Sequence, residues 1–130
     1  MAARRRITDD RGDRGDTLRS LKVSDAFKSF VIDQLSPLGD VVPRSMFGGI
    51  GLYCHGVFFG IMARDVLYLK VDHHNVADYT RAKMKPFKPY KDRRVTMKYY
   101  AVPLDVLESG AELVEWAGKA VAAAQEQIKR

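Results

Sequence analysis

Histidine and cysteine are the residue types that most readily bind metals or act in catalysis, and this chain has few of them. The single cysteine is Cys54, and the three histidines are His55, His73 and His74. Zinc requires three or four ligands in one place, whereas Cys54 and His55 are sequential on a predicted strand that runs into a turn, so their side chains diverge. Cys54 also alternates with Leu52 on the apolar face of that strand, which is typical of a core residue. We therefore predict no metal site, no cofactor and no catalytic cysteine.

A glycine-rich stretch, Gly48-Gly49-Ile50-Gly51, has the composition of a phosphate-binding loop. In a dinucleotide-binding fingerprint, however, such glycines follow a strand and open a helix. Here they lead directly into Leu52-Tyr53 and a predicted hairpin. The alternative is that the glycines allow a bulge or a close approach of two backbones within a sheet. We favour this structural interpretation.

The strongest polar signal is a cationic segment, residues 81–98. Its cations are Arg81, Lys83, Lys85, Lys88, Lys91, Arg93, Arg94 and Lys98. Aromatic residues accompany them, namely Phe87, Tyr90, Tyr99 and Tyr100. Charge for a phosphate backbone and rings for base stacking suit single-stranded nucleic acid or another acidic partner. The alternative is a solvated basic face whose rings pack inward. The candidate contact residues are Lys83, Lys85, Lys88, Lys91, Arg93 and Arg94.

Length and composition indicate one ordinary globular domain that needs no disulfide or metal to fold. The chain has 130 residues, of which 46% are hydrophobic and 29% charged. Its formal net charge of +6 favours acidic partners, such as nucleic acid or an anionic protein surface. The lone cysteine indicates a reducing compartment. No apolar run approaches the length of a membrane span, and no apolar region follows Arg4-Arg5-Arg6, so we expect a cytoplasmic protein.

The elements that must position these residues begin after a tail. Residues 1–22 are basic and polar with little to bury, so we expect a disordered basic tail and a folded domain over 23–130. Ser24 is a good N-cap for a first helix, which Pro37 and Gly39 end. A β meander follows. Its predicted strands are Val41 to Phe47, Ile50 to Cys54, Val57 to Met62 and Val66 to Val71.

The second half of the chain alternates helices with one or two strands. A second helix is predicted from about His74 to Met84, and a strand from Val95 to Ala101. A short helical turn is expected over Pro103 to Glu108. Ser109 and Glu112 match a capping box for the final helix. The short connections require antiparallel neighbours, so the fold class is α+β, an antiparallel sheet with helices.

The meander also presents a second face. Phe58, Met62 and Tyr68 occupy its alternate positions. If helices cover only one side of the sheet, these residues form an apolar patch on the other, and such patches mark interfaces. The alternative is that both sides are covered. The first case predicts a homodimer formed through the sheet.

One block of residues carries a family resemblance. The segment Arg44-Ser45-Met46-Phe47-Gly48-Gly49-Ile50-Gly51-Leu52-Tyr53 resembles the R-x-M-F-G-G-x-G-L-Y hallmark of the TfoX N-terminal domain. Its family motif residues are Arg44, Met46, Phe47, Gly48, Gly49, Gly51, Leu52 and Tyr53. Residues 56–63, 65–72 and 97–103 match further pieces in the right order, and the resemblance covers roughly residues 23–127.

The resemblance implies a secretion-chaperone-like fold with the order α-β(3)-α-β(2)-α. Its better-known members are bacterial regulators of natural competence that act with the cyclic-AMP receptor protein and carry a second, C-terminal domain. The predicted domain over 23–130 leaves no room here for that second domain. Stand-alone members also occur, and the resemblance implies no catalytic residues.

We therefore expect a regulatory or adaptor module that acts through protein–protein contacts, in the context of transcription or competence, and that is not an enzyme. One alternative is direct nucleic-acid binding through the cationic segment. A third possibility is a small-ligand binder or an enzyme, which a deep pocket with converging polar groups would favour.

Overall fold

The chain forms a five-stranded antiparallel sheet with helices, in agreement with the predicted α+β class. The structure is a computed structural model and describes residues 21–46, 48–88 and 98–129. The strands are β1 (Val41–Met46), β2 (Gly49–Cys54), β3 (Val57–Ala63), β4 (Val66–Lys70) and β5 (Tyr99–Ala101). The helices are α1 (Asp25–Gln34), α2 (Val76–Arg81), α3 (Leu104–Leu107) and α4 (Gly110–Ile128).

Helix α1 starts where the sequence predicts. The hydroxyl of Ser24 accepts a hydrogen bond from the backbone N–H of Phe27, which satisfies a donor at the start of the helix. The backbone N–H of Ser24 itself donates to a carboxylate oxygen of Asp65 at 2.8 Å, which ties the helix to the turn between β3 and β4. Val31 and Leu35 are fully buried in the core. A 3-10 turn over Ser36–Leu38 then ends the segment.

The strands follow one another across the sheet in the order β1-β2-β3-β4-β5. The turn His55-Gly56 joins β2 to β3 as predicted, and both of its residues have positive φ, the conformation of a type I′ hairpin. Arg64 and Asp65 repeat this geometry between β3 and β4. Strand β1 lies at the edge of the sheet, where Pro43 is tolerated because an edge strand leaves some N–H groups unpaired.

The distribution of strands differs in detail from the order α-β(3)-α-β(2)-α. Four strands precede α2, since β1 pairs with β2 along its whole length. One strand, β5, follows α2 in the described residues, and positions 95–97 of the predicted last strand lie outside them. Helix α2 is also shorter than predicted. The Asn75 side chain accepts from the Asp72 backbone N–H and donates to the Lys70 carbonyl oxygen, so residues 72–75 form a turn before the helix.

The main core lies between the sheet and the helices. It joins Val31 and Leu35 to sheet residues, to Val106 of α3 and to the small residues of α4. Helix α4 contacts β3 and β4, and its alanines allow it to lie close to the sheet. Ser109 is the N-cap of α4, but its side chain makes no capping hydrogen bond with the described residues, so the predicted capping box is wrong. None of the helices in the described part of the chain is long and apolar enough to cross a membrane.

A β-bulge changes which side chains share a face. Leu52 pairs with Gly60 and Tyr53 pairs with Phe58, so Phe59 is an extra residue in β3. After the bulge the alternation reverses: Met62 is fully buried on the helix side, and Ile61 lies on the second face. The prediction that Met62 belongs to an exposed second-face patch is therefore wrong.

The second face of the sheet carries a smaller core of its own. Leu21 and Phe87 are each 3% exposed and pack there with Ile61 and Tyr68. The carbonyl oxygen of Leu21 accepts a hydrogen bond from the Arg64 backbone N–H. Tyr68 is therefore covered, unlike the predicted patch. Leu21 also belongs to the fold although the sequence placed it in the tail, and residues 1–20 lie outside the described residues.

Candidate functional site

Lys70 is a buried cation at the end of β4. It pairs with Tyr99 of β5, is only 9% exposed, and places its Nζ 5.3 Å from the centroid of the Tyr99 ring. This is the distance of a cation–π contact. Burial lowers the pKa of Lys70, the charge of Lys98 lowers it further, and Asp72 partly opposes both. The pair is thus a charged group held in a poorly solvated place against an aromatic ring.

The Tyr99 ring is the end of an aromatic row that crosses the second face. We use this name for Tyr53, Phe58 and Tyr99, whose neighbouring ring centroids are 5.1 and 5.4 Å apart. At the other end, the guanidinium of Arg44 lies 5.6 Å from the Tyr53 centroid. Tyr53 and Phe58 are half-buried, whereas Tyr99 is 6% exposed. Burial, with a contribution from the Tyr53 charge, raises the pKa of Tyr99 to about 12.

A cleft of about 950 Å³, which we call the terminal cleft, opens where β3 begins, β4 ends and β5 begins. Its floor includes Phe58, Lys70 and Tyr99, and the last turns of α4 form a wall. Lys98 is an exposed residue of the same cleft, and its carbonyl oxygen accepts from the Val71 N–H at 3.0 Å. That bond holds the backbone of Lys98 beside the end of β4. Two lysines and two rings therefore converge on one concave site.

The turn before α2 forms another edge of this cleft. One carboxylate oxygen of Asp72 accepts from the His74 backbone N–H at 2.9 Å, and the other lies 3.3 Å from His74 Nδ1. Burial raises the pKa of Asp72, but these hydrogen bonds and the charges of both histidines lower it overall. Ligand atoms of Asp72, His73 and His74 lie within 4.8 Å of one another, so these are the described residues that could hold a metal ion. The absence of a metal stays a prediction.

Cys54 lies in the main core, as predicted from its alternation with Leu52. It is 3% exposed, and burial, together with the charge of Asp40, raises the pKa of its thiol. A nucleophilic cysteine requires the opposite shift, because the thiolate is the reactive form. His55, its neighbour in sequence, lies in the exposed hairpin turn.

The cationic segment is described over 81–88 and at Lys98. Lys83, Lys85 and Lys88 are exposed, whereas Lys91, Arg93 and Arg94 lie outside the described residues. Arg81 is already paired with Asp78 at 2.6 Å. Three of the accompanying rings point inward, since Phe87 and Tyr99 are buried on the second face and Tyr100 packs against the main core. The fourth, Tyr90, lies outside the described residues. At the surface formed by Lys83, Lys85 and Lys88 the lysines are exposed to a partner and these rings are not, and Tyr99 instead lines the terminal cleft.

The family motif builds the sheet and the start of the aromatic row. Leu52 is fully buried in the main core. A Cβ on Gly51 would lie 3.1 Å from the Phe58 ring and 3.3 Å from the Met46 side chain, so glycine leaves room for both. Gly49 is in close contact with β3, and Gly48 has a φ of +87°. Phe47 lies outside the described residues.

The glycines of residues 48–51 lead into a strand and not into a helix, in agreement with the interpretation that they serve the packing of the sheet and not a phosphate-binding loop. The sequence did not single out Lys70 as a site residue. The sequence does contain a signal for this residue: Lys70 is a lysine within the apolar run Val66 to Val71, and alternation assigns it to the same face as Tyr68.

The comparisons with known proteins agree with the motif. A family model described as the TfoX N-terminal domain matches residues 33–124 of the 130-residue chain, which includes the whole motif and most of α4. No curated protein matches the chain significantly. The chain belongs to the TfoX N-terminal domain family.

Proposed function

We propose that this protein is a non-enzymatic regulatory module that binds an acidic protein partner through the cationic segment. The observation that carries the proposal is the separation of charge from rings: Lys83, Lys85 and Lys88 are exposed, whereas Phe87 and Tyr99 are buried. Membership of the family supports a regulatory role related to competence. The raised thiol pKa of Cys54 supports a role without covalent catalysis.

A protein partner is favoured over single-stranded nucleic acid for a physical reason. Binding of single strands draws much of its affinity from bases that stack on exposed aromatic rings. Phe87 and Tyr99 already pack against side chains of the second face, and Tyr100 packs on the main core. Exposed lysines alone provide charge complementarity, which fixes orientation and the rate of association with an acidic protein surface.

The test compares two variants with the same change in net charge. In one, Lys85→Glu and Lys88→Glu reverse the cationic segment. In the control, Lys22→Glu and Lys129→Glu reverse two exposed lysines elsewhere. Each protein is used to capture partners from the source cells, and captured proteins are quantified by mass spectrometry. We expect to find acidic proteins that are captured by the wild type and by the control but not by the Lys85→Glu, Lys88→Glu variant. Identical sets from all three proteins would contradict the proposal.

Direct nucleic-acid binding is the second candidate, and the exposed lysines are the observation in its favour. It predicts binding of random duplex or single-stranded DNA with an affinity that falls steeply as salt rises. The same variants serve as a test, because only the reversal at Lys85 and Lys88 should abolish that binding. Tight, salt-dependent binding that this variant loses would place nucleic acid before protein as the partner.

Our proposal includes a cytoplasmic location and a homodimer. Since Met62 and Tyr68 are buried, the surface for self-association would differ from the predicted patch. Large exposed hydrophobic side chains outside that patch are Phe30, Val42, Leu104 and Ile128. Light scattering at high protein concentration tests the homodimer, and a strictly monomeric mass would exclude it.

A further inference from the structure

We propose that the terminal cleft binds a small organic anion with an apolar, ring-bearing body. Its carboxylate or phosphate would lie between Lys70 and Lys98, and its body against the Phe58 and Tyr99 rings and the wall formed by α4. This site shares Lys98 with the cationic segment, but it is distinct from the exposed surface at Lys83, Lys85 and Lys88. The inference therefore does not depend on the proposed contact with an acidic protein.

The first argument is the position of the two cations. Burial of an ammonium group is costly unless a partner compensates for the lost water. Strand pairing with Tyr99 fixes Lys70 in a place where it is 9% exposed. The ring and the charge of Asp72 provide only part of that compensation, because the pKa of Lys70 is still lowered overall. Lys98 is close enough for its charge to disfavour that of Lys70. An anion between the two ammonium groups would remove this repulsion and replace the lost solvation.

The second argument is the shape and chemistry of the walls. A volume of about 950 Å³ is sufficient for a small molecule, because ligand sites commonly measure about 300–1,000 Å³. Phe58 and Tyr99 pack on each other with centroids 5.4 Å apart, and the half-buried Phe58 provides most of the apolar ring surface that faces the cleft. Ala123 and Ala124 are small, so the α4 wall leaves room, and Ile128 is 69% exposed near the end of the helix. Apolar walls with a few convergent charges are typical of ligand sites.

The acidic groups of the cleft do not cancel its preference for anions. Both oxygens of Asp72 are engaged by His74, one with the backbone N–H and one with the ring. Glu126 is exposed on α4, where water screens its charge. His73 is also exposed at the same turn. Lys70 is therefore the least solvated charge lining the cleft, and a low dielectric strengthens its attraction for an anion.

The test uses 2-naphthoate as the probe, in a titration of the full chain followed by two-dimensional amide NMR at neutral pH. Two matched probes separate the contribution of the negative charge to the affinity from that of the aromatic ring. These are 2-naphthol, which is neutral at this pH, and inorganic phosphate, which has no apolar body. We expect 2-naphthoate to shift signals from residues 58, 70, 98, 99 and 123–124. We expect it to bind at least about tenfold more tightly than 2-naphthol, since a charged hydrogen bond contributes roughly that factor. We expect a gain of at least about the same size over inorganic phosphate, since only 2-naphthoate buries an apolar ring.

Variants locate the binding. Lys70→Met keeps an unbranched, slightly shorter side chain without the charge, and Lys98→Gln removes the second cation at an exposed position. Each should weaken 2-naphthoate binding several-fold, whereas Lys85→Gln, outside the cleft, should leave it unchanged. Because Lys70→Met changes a buried residue, near-UV circular dichroism checks its fold, and Lys98→Gln alone decides the question if Lys70→Met is unfolded.

Several results would overturn the proposal. The first is no detectable binding at about 10 mM probe, roughly tenfold above a Kd of 1 mM. The others are an equal affinity for 2-naphthol, an equal affinity for inorganic phosphate, and an unchanged affinity of Lys98→Gln for 2-naphthoate. Chemical shift changes confined to residues 83–88 would likewise assign the binding to the cationic segment and not to the terminal cleft.

Discussion

A β-carbon on Gly49 would lie 2.7 Å from the main-chain oxygen of Met62. Because that oxygen belongs to the neighbouring strand, it cannot move aside as the end of a flexible side chain could. The same β-carbon would lie 3.4 Å from the Leu21 side chain. The second glycine of the family motif therefore sets the spacing of β2 and β3 and leaves room for the segment that covers the second face.

This relationship predicts that Gly49→Ala is strongly destabilising. Forcing a methyl group into a packed site costs about 1–3 kcal/mol, and more when the backbone has to shift. We expect the free energy of unfolding in urea to fall by at least this amount. Hydrogen exchange of the Arg64 amide, which donates to the Leu21 carbonyl oxygen, should also accelerate, since the added group pushes against that contact. Unchanged stability in Gly49→Ala would contradict the assigned close approach.

Gly118 provides the matched control. It lies within α4, and a β-carbon there would meet nothing within 4 Å. Alanine is favoured over glycine in a helix by about 0.5–1 kcal/mol. We therefore expect Gly118→Ala to raise the free energy of unfolding by roughly that amount, measured in the same urea titration. A loss of stability in this variant would show that α4 is not helical at residue 118 or is crowded there.

The hydroxyl of Tyr79 is buried and has no hydrogen-bond partner among the described residues. The ring itself packs edge-on against Trp116, with centroids 4.8 Å apart. A buried polar group without a partner costs about 1–3 kcal/mol. Tyr79→Phe should therefore leave the thermal midpoint unchanged or raise it. Tyr79→Ala should lower stability by about 3–5 kcal/mol, because it also removes the ring.

Cys54 should be inert in the folded protein. Its thiol is buried, and burial is the main cause of its raised pKa, so little thiolate forms near pH 8. We expect reaction with Ellman's reagent to be at least about a hundredfold slower in native buffer than in denaturant, in line with the rarity of local opening of the core. One thiol should react per unfolded chain. Fast native reaction would place Cys54 at the surface.

Alkaline pH should destabilise the fold through its buried tyrosines. Burial raises the pKa of Tyr99 to about 12, and burial also raises that of Tyr79 above its ordinary value. Because the folded protein holds these protons more tightly than the unfolded chain, their contribution is complete below the unfolded pKa of about 10 and is lost as pH rises towards 12. Urea midpoints between pH 8 and about 11.5 measure this loss. Tyr99→Phe should reduce the slope, and an unaltered slope would contradict the assigned burial.

Local features of the fold were predictable because they depend on residues a few positions apart. The cap of α1 requires only a hydroxyl oxygen that lies three residues before the backbone N–H from which it accepts a hydrogen bond. The turn at His55-Gly56 requires two residues that tolerate positive φ between alternating strands. The burial of Cys54 follows from its alternation with Leu52, which β2 keeps because the extra residue of the bulge opposite Leu52 and Tyr53 lies in β3.

The terminal cleft could not be predicted in this way. Lys70 and Tyr99 are far apart in sequence, and they meet only because β5 adds to the edge of β4 in one register. From the sequence, Lys98 is assigned to the cationic segment. In the structure it also lines the cleft, because it directly precedes β5, which pairs with β4. The inward packing of Phe87 likewise depends on the covered second face, which includes Leu21.

The sequence by itself determined the α+β class, the family, the positions of the main turns and the core side of β2, since composition, periodicity and turn chemistry are local or additive properties. Only the tertiary structure decided which faces are covered and which charges converge. The extra residue at Phe59 moves Met62 to the helix side, and a shift by one position in a strand exchanges every later side chain between faces. Pairing between distant strands then places Lys70 against a ring, because register and burial are set by contacts that no short stretch of sequence contains.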